Sequence, residues 1–425
     1  MLKTNKMIKI KLTFISLVIF KVGFSQVETI EPDKIGFSVE RLQRIDNFFN
    51  DIVDSRKIGG AVTLISRDNQ IGYLKSFGYS DVKRKIPLAD DFIIPIGSMT
   101  KIITSVAVLQ LYEKGLFLLN DPIDKYIPEL KDLVVISNPY QPITDSLITE
   151  KLKRKPTIRD FLRHTSGMTY YGGGTVTDKL YDKAGFKNWD KSLQEFAIKV
   201  GEIPLSFQPG ENWDYSLSFD ILGFLIERLS GQTLEEYFSE NIFKPLEMNS
   251  AGFFIPTELT NKFSNLYEFK QGELILQEDR SNTKYLTRPS VFSGGGGWSD
   301  SYCGVVCTIN DFHNLCLMLL NKGQFKNKQI LSRKTVELMI ANHIGDLRGK
   351  GKGYGLGVGV ITSINDYGEL GSDHEVHWAG GPYNTYFWID FEERLIGIMF
   401  PNTAPFGHLS MMEKFKILIL QAIDE

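Results

Sequence analysis

Apolar positions change their spacing along the chain in a way that separates strands from helices. After Ser38, a helix N-cap type, Leu42, Ile45, Phe48, Phe49, Ile52 and Val53 recur at helical intervals and predict a first helix. Ala61-Val62-Thr63-Leu64-Ile65 and Ile71-Gly72-Tyr73-Leu74 flank the polar Arg67-Asp68-Asn69-Gln70, the pattern of a β-hairpin. The run Ile102 to Leu109 is apolar nearly all round and stops near Gly115, a C-cap type, so it predicts a buried helix beginning at Ser98. Residues about 100–290 carry few strand signals. Strand character returns at 356–360, 386–390 and 395–400, the last two joined by Phe391-Glu392-Glu393-Arg394, and an amphipathic helix follows over 411–423. Strands near both termini with helices between them predict one sheet built from the two ends of the chain (about 35–95 and 300–425) and a mainly helical insertion (about 100–290). Ligand sites favour the seam between two such parts.

The first 25 residues read separately. Lys3, Lys6, Lys9 and Lys11 precede the apolar run 12–20, and Gly23 and Ser25 suit the −3 and −1 positions of a signal peptidase, with cleavage before Gln26. Lys21 interrupts the run, which is too short to cross a bilayer. The expectation is a signal peptide over 1–25 and a mature protein without a stable membrane span, periplasmic or secreted. Composition narrows the partners. With 42% hydrophobic residues among 425 there is ample material for a large core, and a net charge of −3 without a basic stripe argues against nucleic acid. Cys303, Cys307 and Cys316 crowd one stretch without C-x-x-C spacing, and the six histidines show no metal-binding pattern, so neither a disulfide framework nor a metal site is expected. The cysteines are expected to pack as small apolar groups.

No G-x-S-x-G occurs, which removes the nucleophile elbow, but S-x-x-K occurs at Ser80–Lys83, Ser98–Lys101 and Ser281–Lys284. The first and third lie in polar stretches that read as solvated surface. Ser98 instead stands at the head of the buried helix, where positions three apart share a face and bring Lys101 beside it. A buried lysine loses the favourable hydration of its ammonium, its pKa falls, and the neutral amine can take a serine proton. The local pattern alone fits an ordinary N-cap serine with a snorkelling lysine even better.

A set of ordered blocks changes that balance. Ile96-Gly97-Ser98-Met99-Thr100-Lys101, followed by Asp121-Pro122-Ile123, resembles the first conserved block of the serine β-lactamase/penicillin-binding protein superfamily, in its class C β-lactamase-like branch. His164-Thr165-Ser166-Gly167-Met168 is similar to that family's "HTSG" loop, and Trp213-Asp214-Tyr215-Ser216-Leu217-Ser218 to its tyrosine motif. Ser293-Gly294-Gly295-Gly296-Gly297-Trp298, Asn310-Asp311-Phe312, Tyr354-Gly355-Leu356-Gly357 and Trp388-Ile389-Asp390 resemble its later blocks. The resemblance implies an antiparallel sheet flanked by helices and an acyl-enzyme on Ser98. It also implies that Lys101 and Tyr215 shuttle the proton, and that no cofactor is needed. A phenol works as a base only if a nearby cation lowers its pKa, and Lys101 is the expected cation. His164 is expected to position its loop rather than to react.

Departures from the family pattern narrow the substrate. Lactam-cleaving relatives often carry Tyr-x-Asn, whereas here the third residue is Leu217, which has no amide to hold a peptide carbonyl; this resembles the family VIII carboxylesterase branch. The family's third motif falls in His377-Trp378-Ala379-Gly380-Gly381-Pro382, without the usual lysine, so that cation for a substrate carboxylate is missing. The residue after the motif supplies an oxyanion N–H; Pro382 has none, which favours Trp378-Ala379-Gly380 with Gly381 as donor over His377-Trp378-Ala379 with Gly380. An edge-strand turn is the plain alternative for Gly-Gly-Pro. Tyr383 and Trp298 fall by family position near an acyl pocket, and Thr308 with Asp311 reads as a capping box. The expectation is an exported serine hydrolase cleaving or transferring acyl groups of small esters or amides. A β-lactamase or D-amino-acid peptidase, or a catalytically idle ligand-binding homologue, are the alternatives.

Overall fold

A computed structural model describes residues 28–143, 147–189, 191–278, 285–287 and 304–424. The expected signal peptide, Ser281–Lys284, the 293–298 glycine block with Trp298, and Cys303 lie outside these residues.

The centre is an eight-stranded antiparallel sheet. Its strands are β1 (Gly60–Arg67), β2 (Gln70–Asp81), β3 (Ile86–Pro87), β4 (Lys352–Tyr354), β5 (Gly359–Ile361), β6 (Val376–Ala379), β7 (Tyr386–Asp390) and β8 (Leu395–Pro401). They lie in the order β4-β5-β6-β7-β8-β1-β2-β3. The chain's two ends meet at β1 and β8, paired from Ala61–Pro401 to Arg67–Leu395, so the sheet is built from both termini as the pattern implies.

Both faces of this sheet are covered, and the alternation of strand side chains divides them between two cores. Val62, Leu64, Phe387, Ile389, Ile398 and Phe400 join the larger core on the side of the helical insertion. Ala61, Ile65, Trp388, Leu395 and Met399 pack on the other side against α1 (Val39–Asp54) and a C-terminal helix, Met411–Leu420, through Phe49 and Phe415. Ser38 caps α1 by accepting from the Arg41 N–H at 3.2 Å.

Within the insertion, α2 (Thr100–Glu113) is buried along nearly its whole length beside α3 (Ser218–Ser230). The capping box of Thr308 and Asp311 opens α4 (Ile309–Leu320), and Cys307 and Cys316 are buried as apolar groups, their thiols pushed well up by burial.

Three details depart from the sequence pattern. Ser98 is not the cap of α2: it lies in a 3₁₀ turn, Gly97–Met99, that precedes the α-helix and makes no side-chain capping bond. The strand expected over 356–360 is split into β4 and β5 by a turn in which the Gly355 N–H donates to the Val358 carbonyl. Tyr267–Lys270 and Glu273–Leu276 form a hairpin within the supposedly helical part, and Thr403–Ala404 pairs with it.

Candidate active site

The seam between the insertion and the sheet holds a cavity of about 360 Å³ with Ser98, Tyr215, Trp378 and Gly381 in its walls. Ser98 is held there by a close backbone approach. Gly97 has φ +51°, and a Cβ on it would lie 2.0 Å from the Gly380 carbonyl oxygen. On Gly380 a Cβ would meet Thr385 Oγ1 at 1.7 Å and the Ile96 oxygen at 2.3 Å. Only glycine at both positions lets the nucleophile's turn lie flat on the end of β6.

Three predicted side chains converge. The Tyr215 hydroxyl donates to Ser98 Oγ at 2.6 Å, and Lys101 Nζ stands 3.4 Å from the same oxygen. Ser98 is 6% exposed and Lys101 fully buried. Burial brings the lysine pKa from 10.5 down to about 7, against the pull of Asp220. At neutral pH a large fraction of the amine is therefore uncharged and able to accept a proton.

Tyr215 departs from expectation. Burial, reinforced by Tyr170, pushes its phenol well above 10, although its bond to Ser98 works the other way. Lys101 Nζ lies 4.5 Å from the centre of the Tyr215 ring, over its face rather than at its oxygen. Tyr215 is therefore a neutral phenol in the resting site, and Lys101 is the group poised to act as base.

His164 secures Tyr215 from both sides. Its carbonyl accepts the Asp214 N–H at 3.1 Å, and its Nδ1 accepts the Ser216 N–H at 3.2 Å. Its ring lies 4.8 Å from that of Tyr215. Burial, with Lys101 and Arg348 adding to it, holds the imidazole pKa far below 6.5, so it stays neutral and can accept at Nδ1. The positioning role expected from sequence is the one its contacts describe. Behind it, Asp160 is fully buried between Arg154 (2.5 Å) and Arg163 (2.8 Å), and accepts from Thr165 Oγ1 at 2.8 Å.

At the third motif, the Gly380 N–H already donates to the Thr385 carbonyl at 2.7 Å, which leaves it no share in an oxyanion hole. Gly381 opens the 3₁₀ turn Gly381–Tyr383, a position whose N–H has no partner within the helix, and it faces the cavity. Trp378 extends from β6 into the cavity wall, its ring 5.8 Å from that of Tyr215. Tyr383 turns away: it is buried, and its hydroxyl donates to Gln277 Oε1 at 2.8 Å. Leu217 is buried, its N–H donating to the Thr169 carbonyl. Ser80 and Lys83 sit at the polar end of the β2–β3 hairpin, away from this cavity.

Sequence reasoning missed one wall residue. Arg348 stands in the cavity wall, its guanidinium 4.5 Å from the centre of the Trp213 ring and 5.9 Å from those of Tyr354 and Trp378. No motif marks it in the sequence. The expectation that the site lacks a cation applies to the third motif, not to the cavity. Among the described residues no group of metal-ligating side chains converges, and no helix is long and apolar enough to cross a membrane.

This sheet, its helical insertion and a serine held between an amine and a phenol define a serine hydrolase of the β-lactamase/transpeptidase fold. The family model described as Beta-lactamase matches residues 45–420, and the chain belongs to that family. It is 31% identical over 227 residues to Esterase EstB of Burkholderia gladioli, covering 52% of this chain and 54% of the relative. It is 28% identical over 349 residues to a putative D-alanyl-D-alanine carboxypeptidase of Salmonella agona (strain SL483), covering 76% and 74%. The solved structure of EstCE1, "a hydrolase with promiscuous acyltransferase activity", superposes with a TM-score of 0.76 at 21% identity, over 91% of this chain and 99% of that one.

Proposed function

We propose that the protein is a serine carboxylesterase that hydrolyses or transfers the acyl group of small esters through an acyl-enzyme on Ser98. The observation that carries this reading is the meeting of the Tyr215 hydroxyl and the Lys101 amine on one serine oxygen in an accessible cavity. As Ser98 Oγ attacks the ester carbonyl, its proton passes to the uncharged Lys101 Nζ. The N–H groups of Ser98 and Gly381 are the proposed donors to the resulting oxyanion. The bond to the alcohol then breaks, and the departing oxygen takes a proton from Tyr215, which is resupplied from the Lys101 ammonium. Water, or a second alcohol, enters by the same relay in reverse and releases the acyl group. Leu217 in place of an amide side chain favours esters over peptides, and the names of EstB and EstCE1 agree with that choice.

The carboxypeptidase name of the Salmonella relative supports a second reading, hydrolysis of a D-alanyl peptide. The proposal also includes export, from the lysine-rich start and short apolar run of residues 1–25; the N-terminal residue of the mature protein would be Gln26.

The test is labelling by a fluorophosphonate and turnover of a short-chain p-nitrophenyl ester, with Ser98→Ala as control. Both are expected in the wild type and neither in the variant. A wild type that is neither labelled nor active would overturn the hydrolase reading in favour of an idle binding homologue. Faster turnover of a D-alanyl peptide or a chromogenic cephalosporin than of any ester would overturn the esterase choice alone.

A further inference from the structure

We infer that Arg348 receives a carboxylate carried by the substrate, which makes anionic esters the preferred class; this rests on the hydrolase reading of Ser98. Arg348 is placed by the turn that leads into β4, where its Nη1 donates to the Gly353 carbonyl at 3.1 Å. A guanidinium has five N–H donors. Among the described residues the other four find no protein acceptor, and no carboxylate lies within 4 Å of the group. The flat face is occupied instead: Trp213 lies 4.5 Å away, and Tyr354 and Trp378 are 5.9 Å away. Stacking of this kind fixes the plane of the guanidinium and leaves its edge free for the paired N–H bonds that a carboxylate accepts.

The other charged groups in the cavity wall do not meet this need. Lys416 is already paired with the buried Glu375 at 2.5 Å. Glu369 and Glu413 are exposed at the rim, and neither forms an ion pair with Arg348. A partly buried cation without a counter-ion is costly, and a substrate anion supplies the missing charge.

The aromatic wall also sets where that anion sits relative to the reaction. Arg348 stacks by Trp378, Trp378 lies beside Tyr215, and Tyr215 touches Ser98. A carboxylate bound at Arg348 is thus one ring's width from the nucleophile. That suits a group close to the ester on either the acyl or the alcohol side, joined by a short spacer.

Two probe pairs distinguish the sides. For the acyl side, p-nitrophenyl hemiglutarate is compared with p-nitrophenyl pentanoate; for the alcohol side, 3-acetoxybenzoate with its methyl ester. The wild type is expected to favour the anionic member of at least one pair by about tenfold or more in kcat/KM, as one charge-assisted contact allows. Arg348→Met should collapse that ratio to about one, and Arg348→Lys should restore only part of it.

A binding measurement separates this inference from the hydrolase reading. Ser98→Ala protein is titrated calorimetrically with monophenyl glutarate and with its methyl ester, with and without Arg348→Met. Tighter binding of the acid that depends on Arg348 supports the anion site even if no ester is turned over. Equal ratios for both probe pairs and equal binding of acid and methyl ester, or a preference that survives Arg348→Met, would overturn it and leave Ser98 chemistry untouched.

Discussion

Replacing Lys101 by methionine separates the amine's chemical task from its structural cost. The side chain is fully buried, and burial brings its pKa from 10.5 to about 7. In the unfolded chain the amine keeps its ordinary value, so between these two pH values the unfolded state binds more protons and stability rises with pH. Because the folded value is the lower one, the penalty is fully present below pH 7 and fades as the pH rises through 10.5. It amounts to about 4–5 kcal/mol on the acid side and about 2 kcal/mol near pH 9. Methionine is close in volume and carries no charge. It forfeits the contact with Ser98 and the amine's other interactions, worth together about 1–3 kcal/mol. The variant should therefore be more stable than the wild type by about 2 kcal/mol near pH 6 and should lose that advantage near pH 9. Ester turnover should fall by about 10³-fold or more, since the base is gone. Urea unfolding of both proteins at the two pH values, beside the ester assay, measures all three quantities. A variant less stable than the wild type near pH 6, or a stability difference that does not change with pH, would refute the account of a buried, partly neutral amine.

Other predictions follow from the same geometry. With a neutral ester, kcat/KM should rise about tenfold per pH unit up to about pH 7 and then level off, as Lys101 loses its proton. Asp220→Asn should move this limb to lower pH, because Asp220 raises the lysine pKa; a limb that stays in place or moves upward contradicts the assignment. Tyr215→Phe removes the hydroxyl at 2.6 Å but keeps the ring, so kcat should drop by about 10²–10³ with KM and thermal midpoint nearly unchanged. Gly380→Ala places a carbon 1.7 Å from Thr385 Oγ1 and 2.3 Å from a backbone oxygen, and should cost about 2–3 kcal/mol in chemical denaturation together with activity. Burial works to raise the Asp160 pKa, but bonds from Arg154, Thr157 and Arg163 hold it far below 3.8. Its folded value lies under its unfolded one, so its stabilisation is present above about pH 4 and is lost as the pH falls. Asp160→Asn should cost about 3 kcal/mol near neutral pH and less in acid, read by denaturant midpoints.

Much of the framework is written in local pattern. The strand at Tyr386–Asp390 and the one beginning at Leu395 occupy the residues their apolar runs predict, because both faces of those strands are buried and no polar gap blurs the signal. The capping boxes are equally legible, since side chain and backbone N–H lie three residues apart. Ser98 and Lys101 share one turn, so their neighbourhood was also readable; that the serine sits in a 3₁₀ turn and caps nothing was not. The Tyr267–Lys270 hairpin escaped notice because its strands are short and partly exposed, with no continuous apolar run.

Tertiary structure decided what local pattern cannot contain. The order of blocks names Tyr215 as a partner of Ser98, but only folding brings residues 117 positions apart to 2.6 Å. The lysine's pKa belongs to the packing around it, and the same burial that lowers it raises the Tyr215 phenol, reversing the expected division of labour. Whether Gly380 or Gly381 can donate depends on Thr385, which takes the first N–H. Arg348 belongs to no pattern at all: three aromatic rings from distant segments make it a feature of the cavity. Spacing along a chain encodes which faces are buried, because burial follows the period of the backbone. Charge state and the direction of a hydrogen bond depend on desolvation and on neighbours remote in sequence, so they exist only once the chain has folded.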